Sequence, residues 1–130
     1  MYDLKTKILI VDDMKTMRKI TAKACQGIGF SDFLEAEDGQ KAWETLNDNP
    51  SVGLIISDWN MPNCTGLDFL KRVRADGRFK TVPFLMVTAE NEAGQVKEAI
   101  LAGVTNYLVK PFSADNLKSK LEECYAKNAA

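Results

Sequence analysis

Lys7-Ile8-Leu9-Ile10-Val11-Asp12-Asp13 is the stretch that decides the fold: a short apolar, β-branched run that stops on two carboxylates. Such a run, apolar without alternation, reads as a strand buried on both faces of a sheet. The pattern recurs at about Phe33–Ala36, Leu54–Ser57, Pro83–Val87 and Asn106–Val109, and only Phe33–Ala36 is half polar. Amphipathic stretches separate these runs. Met14, Met17, Ile20, Ala24 and Ile28 are spaced to form one buried stripe on a first helix, which Gly27 and Gly29 end. Asp38-Gly39 opens a second helix with Ala42, Trp43 and Leu46 inward, stopped at Asn49-Pro50. Gly66 opens a third, carrying Leu67, Leu70 and Val73, while Val96, Ile100 and Leu101 mark a fourth that Gly103 ends. Ser113 caps a fifth, with Leu117 and Leu121 inward. Strand and helix alternate five times, the signature of βα units wrapped around a parallel sheet.

A chain of 130 residues, 45% of them hydrophobic, suits one domain over residues 1–130. No apolar run approaches the length that crosses a bilayer, and Met1–Lys7 lacks the apolar stretch of a secretory signal, so a cytoplasmic protein without membrane insertion is expected. Cys25, Cys64 and Cys124 are odd in number and lack CxxC spacing, which argues against a disulfide framework or a zinc site. With 17 basic and 18 acidic residues and no basic stripe, nucleic-acid binding is not expected. The chain has no histidine. That removes Ser-His-Asp catalysis and histidine metal ligation, and any phosphohistidine must come from a partner.

The polar residues gather at one end of the predicted sheet. Asp12-Asp13 follow the first strand, Asp58 the third, Thr88 the fourth and Lys110 the fifth. In an open parallel sheet, ligands bind beyond the carboxyl ends of the strands. Taken singly, an Asp-Asp pair is most often a solvated loop, a threonine after a strand a cap, and Lys-Pro a commonplace. Their joint placement after four strands carries the weight. Three converging carboxylates repel unless a cation with oxygen ligands joins them, and Mg2+ keeps coordination places open for phosphate oxygens. Lys110 adds a second positive charge and Thr88 a hydroxyl donor, a set suited to a phosphoryl group in transfer.

Val11-Asp12-Asp13, Ser57-Asp58-Trp59-Asn60-Met61-Pro62, Gly66, Thr88-Ala89-Glu90 and Tyr107-Leu108-Val109-Lys110-Pro111-Phe112 together resemble the response-regulator receivers, and within them the CheY-type single-domain regulators of chemotaxis. The resemblance spans essentially the whole chain. It implies a flavodoxin-like α/β fold, a doubly wound five-stranded parallel sheet of (βα)5 form with strand order 2-1-3-4-5. It implies that Asp58 is the phosphoacceptor, that Asp13, Asp58 and the Asn60 backbone carbonyl contact Mg2+, and that Asp12 acts through a metal-bound water. Lys110 pairs with the phosphoryl group, Thr88 reorients to bond it, amides near Asn60 and Ala89 complete the cradle, and Tyr107 moves from an exposed to a buried rotamer. The Lys110-Pro111 peptide is usually cis in this family. Asn60 and Glu90 tune water access during self-dephosphorylation. Gly66 serves backbone geometry, Trp59 is a partly exposed ring beside the site or, on the plainer reading, simple loop packing, Cys25 and Cys124 lie on helix faces, and Cys64 is an accessible thiol in the loop after Asp58.

The rival from another class is a magnesium-dependent phosphatase acting on a small molecule with the same nucleophile. Asn60 stands where such enzymes carry a second aspartate, and no insertion is large enough to form a substrate cap. The expected partners are a histidine kinase and either the flagellar motor switch protein or a phosphatase, reached as a monomer through the face of the fourth helix, fifth strand and fifth helix. Motor-binding relatives carry basic residues at the start of the fourth helix, where this chain has Asn91-Glu92 and Gly94, with Glu122-Glu123 in the last helix and Lys120 retained. A phosphate sink or a phosphorelay receiver is the alternative role.

Overall fold

The computed structural model describes residues 4–59, 61, 64–89, 93–110 and 112–129. Five strands, β1 (Lys7–Val11), β2 (Asp32–Ala36), β3 (Leu54–Asp58), β4 (Phe84–Ala89) and β5 (Asn106–Lys110), alternate with α1 (Lys15–Ile28), α2 (Gly39–Asp48), α3 (Gly66–Ala75), α4 (Ala93–Leu101) and α5 (Ala114–Ala129). All neighbouring strands pair in parallel, in the order β2-β1-β3-β4-β5. The order reverses at β1, with β2 on one side and β3 on the other, which opens a crevice at the carboxyl ends of β1 and β3.

The strands are apolar on both faces because helices cover both. Leu9, Val11, Ile55, Phe84 and Met86 face one core layer with Leu46 of α2 and Phe69, Leu70 and Val73 of α3. The alternate residues Ile8, Ile10, Leu54, Ile56, Leu85 and Val87 face the other layer with Cys25 of α1 and Leu117, Leu121 and Cys124 of α5. Successive side chains on a strand point to opposite faces, so the unbroken run Ile8–Val11 supplies both layers. Truncating one of these to alanine costs about 2–5 kcal/mol. At the sheet's edge, β2 exposes Asp32 and Glu35 and only partly buries Phe33 and Leu34, which accounts for its half-polar sequence.

Helix ends follow side-chain chemistry. Asp38 accepts the Lys41 N–H at 2.8 Å to start α2, and Thr65 accepts the Asp68 N–H at 3.2 Å to start α3. Ser113 and Asn116 exchange bonds at the start of α5. At the end of α1 stands Gly29, with φ at +125°, a conformation that suits glycine; Gly27 lies within the helix.

Three expectations need correction. The α1 stripe holds only in part: Ala24 and Ile28 pack against the core as expected, but Thr21 and Cys25 are the buried residues, and Met14 and Ile20 are about half exposed, at 57% and 50%. Apolar spacing is compatible with several neighbouring faces, and packing against the sheet and α5 selects one. In α4, Ile100 and Leu101 are exposed and, among the described side chains, the small Ala99 is the one turned inward. The third, fourth and fifth strands also run one or two residues further than expected, because the ladder pairs Asp58 with Val87 and Ala89 with Lys110. Pro83, without an N–H, precedes β4 rather than opening it.

Candidate functional site

That extension places the chemistry. Asp58 and Lys110 are the last residues of β3 and β5, Thr88 is the penultimate residue of β4, and Asp12-Asp13 leave β1. Strand backbones hold the reactive side chains more firmly than a loop would. Asp12 is anchored further, its N–H bonded to the Ala36 carbonyl at 3.1 Å and its Oδ1 accepting the Met14 N–H at 2.9 Å. It thereby does for α1 what a capping side chain would.

One carboxylate oxygen from each of Asp12, Asp13 and Asp58 lies within 4.8 Å of the others. Asp12 and Asp58 are buried and Asp13 is exposed. Lys110 Nζ sits 3.2 Å from Asp58 Oδ1 and 3.4 Å from Asp12 Oδ2. Three carboxylates against one ammonium leave negative charge in a partly dehydrated site. A hard cation with oxygen ligands fits that donor set. Burial holds the Asp58 carboxyl above its ordinary value, Lys110 opposes this and the Asp12 carboxylate adds to it. Burial works against the Lys110 charge, but Asp58 and Asp12 leave its affinity for the proton raised.

Thr88 is 1% exposed and, among the described residues, its Oγ1 has no hydrogen-bond partner. A buried hydroxyl without a partner costs about 1–3 kcal/mol, so a site that keeps one has a use for a donor there. Tyr107 is half-buried; Lys120 Nζ stands 5.0 Å from its ring centroid and also pairs with Glu123.

Gly66 N–H donates to the Trp59 carbonyl at 2.9 Å, tying the start of α3 to the residue after Asp58. Trp59 is a correction: it is buried, 7% exposed, and belongs to the core layer under α2 and α3 rather than standing as a partly exposed ring. Cys25 and Cys124 are buried helix residues. Cys64 is half-buried against Gly39, and burial raises its thiol pKa, an effect that Arg72 partly offsets. Asn60, Glu90, Asn91, Glu92 and the Lys110-Pro111 peptide lie outside the described residues, as does the side chain of Val96. Among the described residues no helix is long and apolar enough to cross a membrane.

Sequence reasoning missed Arg18. From the first turns of α1 its Nη1 donates to the Asp12 carbonyl at 2.8 Å and its Nε to Glu35 Oε1 on β2 at 3.0 Å. The available signal was a basic residue one turn into the helix that follows Asp12-Asp13.

The family description "Response regulator receiver domain" matches residues 8–122. The chain is 48% identical to "Chemotaxis protein CheY1" of Helicobacter pylori over 122 residues, 94% of this chain and 98% of that protein. It is 47% identical to "Chemotaxis protein CheY" of Pseudomonas aeruginosa over 121 residues, 93% and 97% of the two chains. Among solved structures, the chemotaxis response regulator CheY4 of Vibrio cholerae superposes with a TM-score of 0.84 at 34% identity, covering 92% of this chain and 98% of that one.

Proposed function

We propose, because the chain belongs to the response regulator receiver domain family, that it is a chemotaxis switch whose state is set by a phosphoryl group on Asp58. CheY is itself a standard illustration of the rule that such sheets bind ligands at their switch point. The observation that carries the proposal is the contact between Asp58 and Lys110 at 3.2 Å inside a three-carboxylate cluster at the carboxyl ends of the strands.

An Asp58 carboxylate oxygen attacks the phosphorus of a partner kinase's phosphohistidine. The new O–P bond forms as the P–N bond to the imidazole breaks, and the imidazole leaves carrying the bond's electron pair. Lys110, kept protonated by two carboxylates, faces the charge on the transferred group. The Thr88 hydroxyl, which has no partner among the described residues, bonds the phosphoryl oxygens. Asp13, Asp58 and the Asn60 carbonyl, with Asp12 through a water, would hold Mg2+, which when bound supplies positive charge to the phosphoryl oxygens. Backbone amides near Asn60 and Ala89 complete the cradle, and Tyr107 with the α4-β5-α5 face carries the change to a partner. Asn60 and Glu90 admit the water that later hydrolyses the acyl phosphate. Turnover is confined to the protein's own phosphoryl group, within residues 1–130 acting as one receiver unit in the cytoplasm.

The proposed partners are a histidine kinase and the flagellar motor switch protein or a phosphatase. A phosphate-sink role is favoured by the sequence of the output face, where Asn91-Glu92 and Gly94 stand in place of basic residues at the start of the fourth helix. Capture experiments with beryllofluoride-treated and untreated protein separate the roles. Binding of a motor component supports the first, and binding of the kinase alone supports the sink.

The chemistry is tested with acetyl phosphate and mass spectrometry. Wild type gains one phosphoryl group in Mg2+, while Asp58→Asn and chelator-treated wild type gain none. Phosphorylation of Asp58→Asn at the wild-type rate sinks the assignment.

A further inference from the structure

We propose, resting on the reading of Asp12, Asp13 and Asp58 as a cation and phosphoryl site, that Arg18 is a positioning residue that holds the β1–α1 connection in its metal-binding shape through the Asp12 carbonyl. Each polar group of Asp12 is committed: the N–H to Ala36, Oδ1 to the Met14 N–H, Oδ2 to Lys110, and the carbonyl to Arg18 Nη1 at 2.8 Å. The first two contacts come from the backbone and the third from the site's own lysine. The fourth comes from a side chain outside the acidic cluster.

The Asp12 carbonyl and the Asp13 N–H belong to one planar peptide group. Pinning that oxygen therefore sets the plane from which Asp13, the exposed member of the cluster, projects. Arg18 is itself fixed at both ends. Its backbone N–H donates to the Met14 carbonyl at 3.0 Å, and Glu35 holds Nε at 3.0 Å from the neighbouring strand, where Glu35 pairs with Ile10. Its side chain is 14% exposed against 44% for Glu35. A rigid guanidinium can bond a carbonyl and a carboxylate at once, whereas a lysine ammonium offers only a flexible point charge.

The test is Mg2+ affinity by calorimetry, with the half-saturating Mg2+ for phosphorylation by acetyl phosphate as a second readout. Partners that orient metal ligands are worth about 10–100-fold in affinity. Arg18→Met is expected to weaken Mg2+ binding about 10-fold by that measure, with Arg18→Lys in between. The phosphorylation rate at saturating Mg2+ stays near wild type. In an Asp13→Ala background the Arg18→Met loss shrinks, because the peptide plane that Arg18 pins then orients no ligand. Glu35→Ala, a change at a more exposed side chain, gives a smaller loss in the same direction and carries the test if Arg18→Met fails to fold. Wild-type Mg2+ affinity in Arg18→Met, wild-type affinity in Glu35→Ala where Arg18→Met is unfolded, or a full Arg18→Met loss in the Asp13→Ala background overturns the inference. Absence of Mg2+ binding by wild type would overturn the site reading and this inference together.

Discussion

Gly66 packs so closely against Asp58 that a Cβ on Gly66 would stand 2.2 Å from the Asp58 carbonyl oxygen, with the Trp59 Cα and Met86 Sδ each at 3.0 Å. The obstacle is mostly backbone, so neither Asp58 nor Trp59 can give way without moving the end of β3. Gly66→Ala is therefore expected to cost about 3 kcal/mol, at the upper end of overpacking, and to slow phosphorylation by displacing Asp58. Urea unfolding measures the first and acetyl phosphate kinetics the second. A stability loss near zero with normal phosphorylation would show that the junction relaxes freely.

Thr88 illustrates a group kept at a cost to stability. Its buried hydroxyl has no partner among the described residues. Thr88→Val removes the dehydrated oxygen at nearly constant shape, so the unmodified protein should hold its stability or gain about 1 kcal/mol. Beryllofluoride affinity should fall in the same variant. Denaturation and fluoride titration on one preparation check both, and a variant clearly less stable than wild type would mean that the hydroxyl is satisfied in the unmodified state.

Burial pushes the Cys25 thiol up to about 12 from an ordinary value of 9.0. Below 9.0 the thiol is protonated in both folded and unfolded chains and contributes no pH dependence. Between 9.0 and about 12 the unfolded chain releases the proton and the native state keeps it, so stability falls as pH rises through that window. Cys25→Ala loses packing but should flatten the alkaline slope by about 1.4 kcal/mol per pH unit. Urea midpoints across that window decide it; parallel slopes for the two proteins would mean that the native thiol ionises freely.

At the opposite end of the sheet Arg74 donates to the carbonyls of Gly103, Phe79 and Val82 and to Thr105 Oγ1. Burial lowers the proton affinity of its guanidinium. The same Thr105 oxygen accepts the Phe84 N–H, so one side chain ties the end of α3 to the starts of β4 and β5. Arg74→Met should cost about 2–4 kcal/mol through unsatisfied carbonyls. Mg2+ affinity, governed by the other end, should stay at the wild-type value in calorimetry. A change in that affinity would mean that the two ends are coupled.

Strand identity and the end of the sheet that carries the chemistry were legible because both depend on local pattern. Ile8–Val11 is apolar on both faces whatever surrounds it, and a residue that follows a parallel strand lies at its carboxyl end. The face of α1 was less legible. Met14 and Ile20 are apolar, yet the helix buries Thr21 and Cys25, because a threonine and a cysteine small enough to approach the sheet satisfy packing as well as a larger residue. Trp59 was misread for a similar reason: adjacency to Asp58 in the chain does not say to which side of the strand a ring turns.

The sequence by itself determined the alternation of five strands and helices, the carboxylates of Asp12, Asp13 and Asp58, and the lysine and threonine available to meet them, because residue type and short-range periodicity set these. Tertiary structure alone decided that Lys110 reaches both Asp58 and Asp12, that the buried Thr88 hydroxyl has no partner among the described residues, and that Arg18 grips the Asp12 carbonyl. Those contacts join residues from different strands and helices. Their distances are set by how two helical layers press on one twisted sheet, which no local stretch of the chain encodes.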